Sequence, residues 1–135
     1  MFKFLKRKKQ PTEPPIVRIE TEGPWIWVKC IHSPLGYAKI TCIAESNSKI
    51  LIGDIIHSDS LPCNQGYGSL MMNELLRYAR ECGYTHLYGN LSEVDLDHKE
   101  RLFHFYQKFG FEITIYPELQ GNYFGRIDLE LVKEE

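Results

Sequence analysis

The clearest chemistry in the sequence lies at residues 61–69 (LPCNQGYGS), where Gly66 and Gly68 precede a run with helical periodicity. Glycine has no Cβ, so the backbone N–H groups of such a turn can approach a ligand closely. The N-terminus of the following helix adds free N–H donors and the positive end of the helix dipole. The segment therefore predicts a binding site for a phosphate or diphosphate group.

Three phosphate-binding patterns compete for this segment. The Walker A motif requires Lys directly after its second glycine, and Ser69 stands there. The dinucleotide fingerprint requires a third small residue at Met71. A third pattern, Gln/Arg-x-x-Gly-x-Gly/Ala, fits from Asn64 to Gly68, although Cys63 replaces its first residue. A plain strand-to-helix turn with two glycines is the remaining alternative.

A second motif, RLFHFYQKFGF, occupies residues 101–111. Together with the glycine segment it resembles the two signatures of the GCN5-related N-acetyltransferase (GNAT) family, the pyrophosphate loop and the ending FY-x-K-x-GF. The two motifs stand in the family's order and span residues 50–113, about half of the chain. The resemblance implies an acetyl-CoA-dependent transferase that acetylates a primary amine.

The resemblance also assigns the contacts to acetyl-CoA by position. The strand ending at residues 55–57 would run beside the pantetheine arm, and the backbone N–H groups near the two glycines would hold the pyrophosphate. Lys99 stands where the family often has an asparagine that contacts the cofactor, and Lys99 would instead reach a phosphate of coenzyme A. The expected cofactor-binding residues are Ile55, Ile56, His57, Cys63, Asn64, Gln65, Gly66, Tyr67, Gly68, Ser69, Lys99 and Tyr106.

The family mechanism implies direct attack of the amine on the thioester in a ternary complex. Tyr106 would protonate the departing sulfur; the helical pattern alone favours a core aromatic residue, and the motif match reverses that interpretation. The acceptor ammonium, with a pKa of about 10.4 for a lysine-like amine, must first lose a proton. His57 is the first choice as base because it ends the central strand and histidine is the residue type whose ordinary pKa is near neutrality. The alternative bases are Asp54, Asp59 and Glu45.

Other functions remain open at this point. Because Cys63 and Lys99 depart from the family pattern, a non-catalytic acyl-CoA-binding or interaction module on the same fold is the main alternative. Cys63 as an acetyl-carrying nucleophile is a further hypothesis. The basic tail at residues 2–9 also suggests an RNA-directed acetylating toxin.

Hydrophobic periodicity predicts one α/β (α+β) domain with a mixed, mostly antiparallel central sheet. A strand–helix–strand unit requires one parallel pair and forms the predicted acetyl-CoA-binding unit. Gly53 inside its first strand indicates a bulge or a close backbone approach, and Asp97 with Glu100 indicates a capping box. The predicted strands are 16–20, 25–32, 37–44, 49–57, 84–91, 111–116 and 123–132, and the predicted helices are 66–82 and 97–109.

The acceptor site is the least defined feature. Only residues 21–24 separate the first two strands, so the helices that the family usually places there are missing. The site is then either open, as suits a protein or peptide acceptor, or completed by a second copy of the chain, and a small-molecule amine is equally compatible. Aromatic residues that could line it are Trp25, Trp27, Tyr116, Tyr123 and Phe124, and packing across the sheet is the alternative for them.

Length and charge limit the remaining possibilities. The 135 residues suffice for one domain, predicted at 16–135 after a basic, proline-ended tail at 1–15. Without the five cations of that tail the net charge of −2 becomes −7, which argues against a broad DNA-binding face. The four cysteines lack CxxC spacing, so we expect neither a metal site nor a redox pair. No apolar run is long enough to span a membrane, and we expect a cytoplasmic protein.

Overall fold

The computed structural model describes residues 13–59, Leu61 and residues 66–132. Within these residues seven strands and two α-helices follow the predicted order, with a 3₁₀ helix, Glu93–His98, directly before the second α-helix. The elements are β1 (Ile16–Glu22), β2 (Trp25–His32), β3 (Gly36–Ala44), β4 (Lys49–His57), α1 (Tyr67–Glu81), β5 (His86–Ser92), α2 (Lys99–Lys108), β6 (Glu112–Gln120) and β7 (Tyr123–Glu130).

The strands form one sheet in the order β1-β2-β3-β4-β5-β7-β6. All neighbours are antiparallel except β4 and β5, which are parallel and joined through α1. A tight turn at Gly23 and Pro24 connects β1 directly to β2, with Gly23 in the left-handed region at φ 56°. The mixed sheet, its parallel β-α-β unit and the missing helices between the first two strands are therefore confirmed.

Both helices pack on the same face of the sheet. In β2 the side chains of Ile26, Val28 and Cys30 are buried on this face, against the apolar side of α1. The α2 residue Phe105 contacts the start of α1, which places α2 beside it. Among the described residues no helix covers the opposite face, which we call the open face; Trp25 and Trp27 stack there with parallel rings 6.2 Å apart.

A bulge in β4 opens a cleft at the centre of the sheet. Gly53 and Asp54 together oppose the single residue Thr41 of β3, and a Cβ on Gly53 would lie 2.9 Å from the Thr41 carbonyl oxygen. The glycine is thus required by the close approach that the sequence predicted. Beyond Ile52 the pairing with β5 stops, although β4 continues along β3 to His57. One edge of β4 therefore faces a cleft.

The helix ends agree with the sequence except at the start of α2. Gly83 and Gly110 adopt left-handed φ values of 84° and 93° after the two helices, as helix stops do. The predicted capping box of Asp97 and Glu100 is wrong, because the chain already turns as a 3₁₀ helix from Glu93. Asp97 is inside that 3₁₀ helix, and no side chain among the described residues caps α2.

The predicted N-terminal tail lies almost entirely outside the described residues, and β1 begins at Ile16. The boundary between tail and domain stays a prediction. Neither of the two described α-helices has the length and apolar character needed to cross a bilayer.

Candidate functional site

The N-terminus of α1 presents free backbone donors. Gly66 precedes the helix in a left-handed conformation, φ 83°, which favours glycine because it lacks a Cβ. The first intrahelical bond runs from the Leu70 N–H to the Gly66 carbonyl, 3.0 Å, so the N–H groups of Tyr67, Gly68 and Ser69 precede it. These three groups have no hydrogen-bond partner within the described part of the chain, and no acidic side chain occupies the first turn. The arrangement suits an anion.

Three contacts hold this turn in place. Gly68 lies against the ring of Phe105, where a Cβ would be 3.2 Å from the nearest ring carbon. The buried Tyr67 hydroxyl is 2.7 Å from Nδ1 of His32. Lys108 donates a hydrogen bond of 2.7 Å from Nζ to the Ser69 hydroxyl. The last contact fixes a positive charge beside the free N–H groups.

A cavity of about 450 Å³ lies between the end of β4, the start of α1 and the exposed side of α2. We call it the basic cavity, because Arg101 and Lys108 line it and no carboxylate does so among the described residues. Its other polar lining includes His57, His104 and Ser69. Positive charge at a helix N-terminus is the environment that a pyrophosphate requires.

A second cavity, of about 550 Å³, occupies the cleft between β4 and β5. Asp54 and Asp95 are its charged residues among those described, so we call it the acidic cavity. Tyr106 also lines it, and Ile55 borders both cavities. The two cavities are therefore neighbours along β4.

Tyr106 is 7% exposed, and its ring packs edge-on against Phe105 and Phe111. Its hydroxyl has no hydrogen-bond partner within the described residues, yet the oxygen is not sealed from solvent. Burial raises the pKa of the Tyr106 phenol to about 12, and the negative charge of Asp95 adds to the increase. The phenol therefore keeps its proton at neutral pH, on a residue that lines the acidic cavity.

The structure brings most of the predicted cofactor residues together. Ile55, Ile56, His57, Gly66, Tyr67, Gly68 and Ser69 all line the basic cavity. Cys63, Asn64 and Gln65 lie outside the described residues. Lys99 lines a different depression, formed by residues 96–101, so its side chain has no described contact with the glycine turn.

The proposed acid and base are not in one cavity. Tyr106 lines the acidic cavity, whereas His57 lines the basic one, where its Nδ1 lies 3.0 Å from the carbonyl of Ser58. Of the alternative bases, Asp54 shares the cavity of Tyr106, and Glu45 accepts hydrogen bonds of 2.8 Å from the Tyr88 hydroxyl on the open face. Asp54 is thus the predicted base that the fold brings to Tyr106.

The aromatic candidates for an acceptor site separate in the same way. Tyr123 lines the acidic cavity. Phe124 is buried and packs on Phe103 at 6.2 Å, and the two tryptophans stack on the open face, so for these three residues packing prevails. Tyr116 is half-buried in β6.

Sequence reasoning named Asp54 as an alternative base but missed Asp95 in the acidic cavity and the two cations of the basic cavity. Arg101 and Lys108 stood in the quoted motif, and their offset of seven residues on one helix was the available signal that they share a face. Asp95 gave no signal, because its position depends on the 3₁₀ helix. The bond between Tyr67 and His32 joins residues 35 positions apart and was equally unreadable from local pattern.

Comparison with known proteins supports the fold. The chain is 33% identical over 78 residues to the uncharacterized protein YocC of Bacillus subtilis (strain 168); the match covers 56% of this chain and 47% of the relative, about half of its length. A GNAT family acetyltransferase from Elizabethkingia anophelis with acetyl-CoA bound superposes with a TM-score of 0.64 at 15% identity, covering 87% of this chain and 98% of the other. The ribosomal-protein-S18-alanine N-acetyltransferase from Escherichia coli gives a TM-score of 0.64 at 12% identity, covering 85% and 74%.

A family model identifies the chain more directly than these structures do. The model of the acetyltransferase (GNAT) family matches residues 3–111, which is most of the chain and includes both motifs. The match also includes the whole parallel unit from β4 to β5. The chain therefore belongs to the acetyltransferase (GNAT) family.

Proposed function

We propose that this chain is an N-acetyltransferase that moves an acetyl group from acetyl-CoA to a primary amine by direct attack in a ternary complex. The observation that carries the proposal is the adjacency of the two cavities, which share Ile55. A substrate anchored by its phosphates at the start of α1 can follow the edge of β4 and present its acyl end to Tyr106.

The residues present fit acetyl-CoA. The free N–H groups of the first turn of α1, with Lys108 beside them, suit its pyrophosphate. Beyond Ile52 this edge of β4 has no strand partner in the described part of the chain, so its backbone groups are open to the amide groups of a pantetheine arm. The Elizabethkingia anophelis protein of similar fold was solved with acetyl-CoA bound, which supports the same ligand here.

In the proposed reaction the neutral amine nitrogen bonds to the acetyl carbon and the C–S bond breaks. Its electron pair stays on the sulfur of coenzyme A, and the amine loses one proton to a base. Placing both reactants in adjacent cavities supplies much of the rate increase, since orientation alone is worth about 7–11 kcal/mol. The product is an amide plus the thiol of coenzyme A.

Tyr106 is the proposed hydrogen-bond donor to the departing sulfur. The phenol has a pKa of about 12, whereas a thiol has an ordinary pKa of about 8.5. Proton transfer from the phenol to the thiolate is therefore unfavourable. Tyr106 therefore stabilises the developing negative charge through a hydrogen bond, and complete proton transfer follows when the proton released by the amine returns to the site. Such a donor is active over the whole neutral pH range.

The base is proposed among residues that line the two cavities. His57 is an imidazole that can accept a proton, but it lies in the basic cavity. Asp54 lies in the cavity of Tyr106 and reaches an ammonium group directly or through water. Separate His57→Gln and Asp54→Asn variants distinguish these bases, because only loss of the true base removes the acidic limb of the kcat profile.

The proposal is tested by the release of coenzyme A thiol from acetyl-CoA in the presence of a panel of amines, with mass spectrometry of the amine products. We expect thiol release that depends on an amine and matches the amount of amide formed. Binding of acetyl-CoA by calorimetry with no thiol release for any amine contradicts the enzymatic proposal and favours a non-catalytic acyl-CoA-binding module.

A further inference from the structure

The two cavities that meet at Ile55 carry opposite charge. Arg101 and Lys108 line the basic cavity. Asp54 and Asp95 line the acidic cavity, where the described lining includes no Lys, Arg or His. A substrate with several phosphates is repelled from the acidic cavity, whereas a positively charged group is attracted to it. The division therefore suits two ligands of opposite charge.

Local backbone structure determines the positions of the Asp54 and Asp95 carboxylates. Asp54 belongs to the bulge that faces Thr41, so it is displaced from the regular strand register. Asp95 belongs to the 3₁₀ helix, whose start is held because the Ser92 hydroxyl accepts from the Val94 N–H. Neither carboxylate forms an ion pair or hydrogen bond within the described part of the chain, so both remain free to bind a cation.

The buried phenol of Tyr106 supplies an independent indication of a ligand. More than nine-tenths of this residue is buried, and its hydroxyl has no partner among the described residues. The oxygen is not sealed from solvent, and the residue lines the acidic cavity, so the hydroxyl is available to a ligand that enters this cavity.

The acidic cavity also reaches through the sheet. Its lining includes Ile52 and Leu91, which face the helices, and Leu51 and Asn90, which face the opposite way. An acceptor can thus enter from the open face while acetyl-CoA lies on the helix face. No helix blocks that entrance among the described residues.

We infer that the acceptor is a cationic alkylamine without a carboxylate near its amino group, bound and oriented through Asp54 and Asp95. The inference rests on the proposed function for the reaction that follows, but the binding of the cation stands on the cavity itself. An ammonium group has three donors, and two carboxylates satisfy most of them. A negative charge close to the amino group of the acceptor would be repelled by the same two carboxylates.

Steady-state kinetics with Asp54→Asn and Asp95→Asn provide the test. We expect each variant to raise the KM for the amine about tenfold, which corresponds to about 1.4 kcal/mol, with the KM for acetyl-CoA unchanged. Asp95→Glu retains the charge and should recover most of the affinity. Asp97→Asn is the matched control, since Asp97 lies on the same 3₁₀ helix but outside the acidic cavity.

Three acceptors of similar length separate the possibilities. 1,4-Diaminobutane represents a free polyamine, N-acetyl-lysinamide represents a lysine of a polypeptide, and γ-aminobutyrate carries a carboxylate instead of a second cation. We expect 1,4-diaminobutane and N-acetyl-lysinamide each to have a kcat/KM at least tenfold above that of γ-aminobutyrate. Whichever of these two cations has the higher kcat/KM indicates whether the amine is a free polyamine or a lysine of a polypeptide. Equal use of γ-aminobutyrate, or Asn variants with unchanged amine KM, overturns the inference.

Direct binding distinguishes this inference from the proposed reaction. Calorimetry of 1,4-diaminobutane and N-acetyl-lysinamide against the protein with bound coenzyme A requires no turnover. Binding that weakens in Asp54→Asn and Asp95→Asn supports the cation site even where no thiol is released. Absence of cation binding to the wild-type protein refutes the site, whatever the fate of acetyl-CoA.

Discussion

Replacing Tyr106 by Phe removes a single oxygen from the centre of the proposed site. The ring contacts with Phe105 and Phe111, at centroid distances of 5.3 and 5.5 Å, are unchanged by this substitution. The hydroxyl has no hydrogen bond to lose within the described residues. Since a typical hydrogen bond contributes about 1 kcal/mol net, the free energy of unfolding should change by less than about 1 kcal/mol. The corresponding change in Tm is about 4 °C or less.

The effect on catalysis should be much larger. A hydrogen-bond donor that stabilises developing negative charge contributes about 10²–10³ in kcat, and we expect Tyr106→Phe to lower kcat at least about 10²-fold. This factor corresponds to about 2.7 kcal/mol of transition-state stabilisation. The KM for acetyl-CoA should change little, because the donor acts on the sulfur as charge develops there.

Thiol release at saturating acetyl-CoA measures kcat, and thermal unfolding measures stability in the same preparation. Tyr84→Phe is the matched control, since Tyr84 is a half-buried tyrosine that packs on Tyr78 and lines neither cavity. A Tyr106→Phe enzyme with kcat within about threefold of wild type would refute the proposed role of the phenol. Equal losses of kcat in the Tyr84 control would attribute the effect to structure.

Three other predictions follow from the same geometry. Gly66→Ala and Gly23→Ala each place a side chain in the left-handed region and should each lower the free energy of unfolding by about 1–2 kcal/mol. Only Gly66→Ala should also raise the Kd for acetyl-CoA, by about tenfold in calorimetry. An unchanged Kd in Gly66→Ala would show that the glycine turn is not part of the binding site. Lys108→Ala should raise the Kd for acetyl-CoA about fivefold at low ionic strength and by a smaller factor at high ionic strength. Lys39→Ala is the control and should leave this Kd unchanged. Equal effects of the two variants would contradict a localised phosphate contact. Folded Tyr106 keeps its proton up to pH about 12, whereas an unfolded tyrosine ionises near pH 10, so the free energy of unfolding falls between those pH values. Urea titrations should show a smaller fall for Tyr106→Phe than for the wild-type protein. Identical pH dependences of the two proteins would contradict the raised pKa.

The sequence was most informative where local chemistry alone decides structure. The limits of β2 and β4 were predicted to the residue, because β-branched and aromatic residues fill both strands and polar turns bound them. The bulge at Gly53 was predicted from a glycine inside an otherwise apolar strand. The family resemblance rested on two motifs, and the family model confirmed it over residues 3–111.

The site residues that the sequence did not predict are positioned by contacts between residues far apart in the chain. Which side of α2 faces the glycine turn depends on how Phe105 packs on Gly68, so the charges of Arg101 and Lys108 could not be assigned to a cavity. Asp95 reaches the cleft only because a 3₁₀ helix starts at Glu93, whose N–H bonds the Asn122 carbonyl at 2.8 Å across the chain. Periodicity contains no information on such contacts.

Amide hydrogen exchange resolved by residue, with and without acetyl-CoA, tests the central claim most directly. We expect acetyl-CoA to protect the amides of residues 66–69 at the start of α1 and those of residues 53–57, where β4 no longer pairs with β5. Protection confined to the open face, or none at either segment when acetyl-CoA is bound, would contradict the placement of the substrate beside Tyr106.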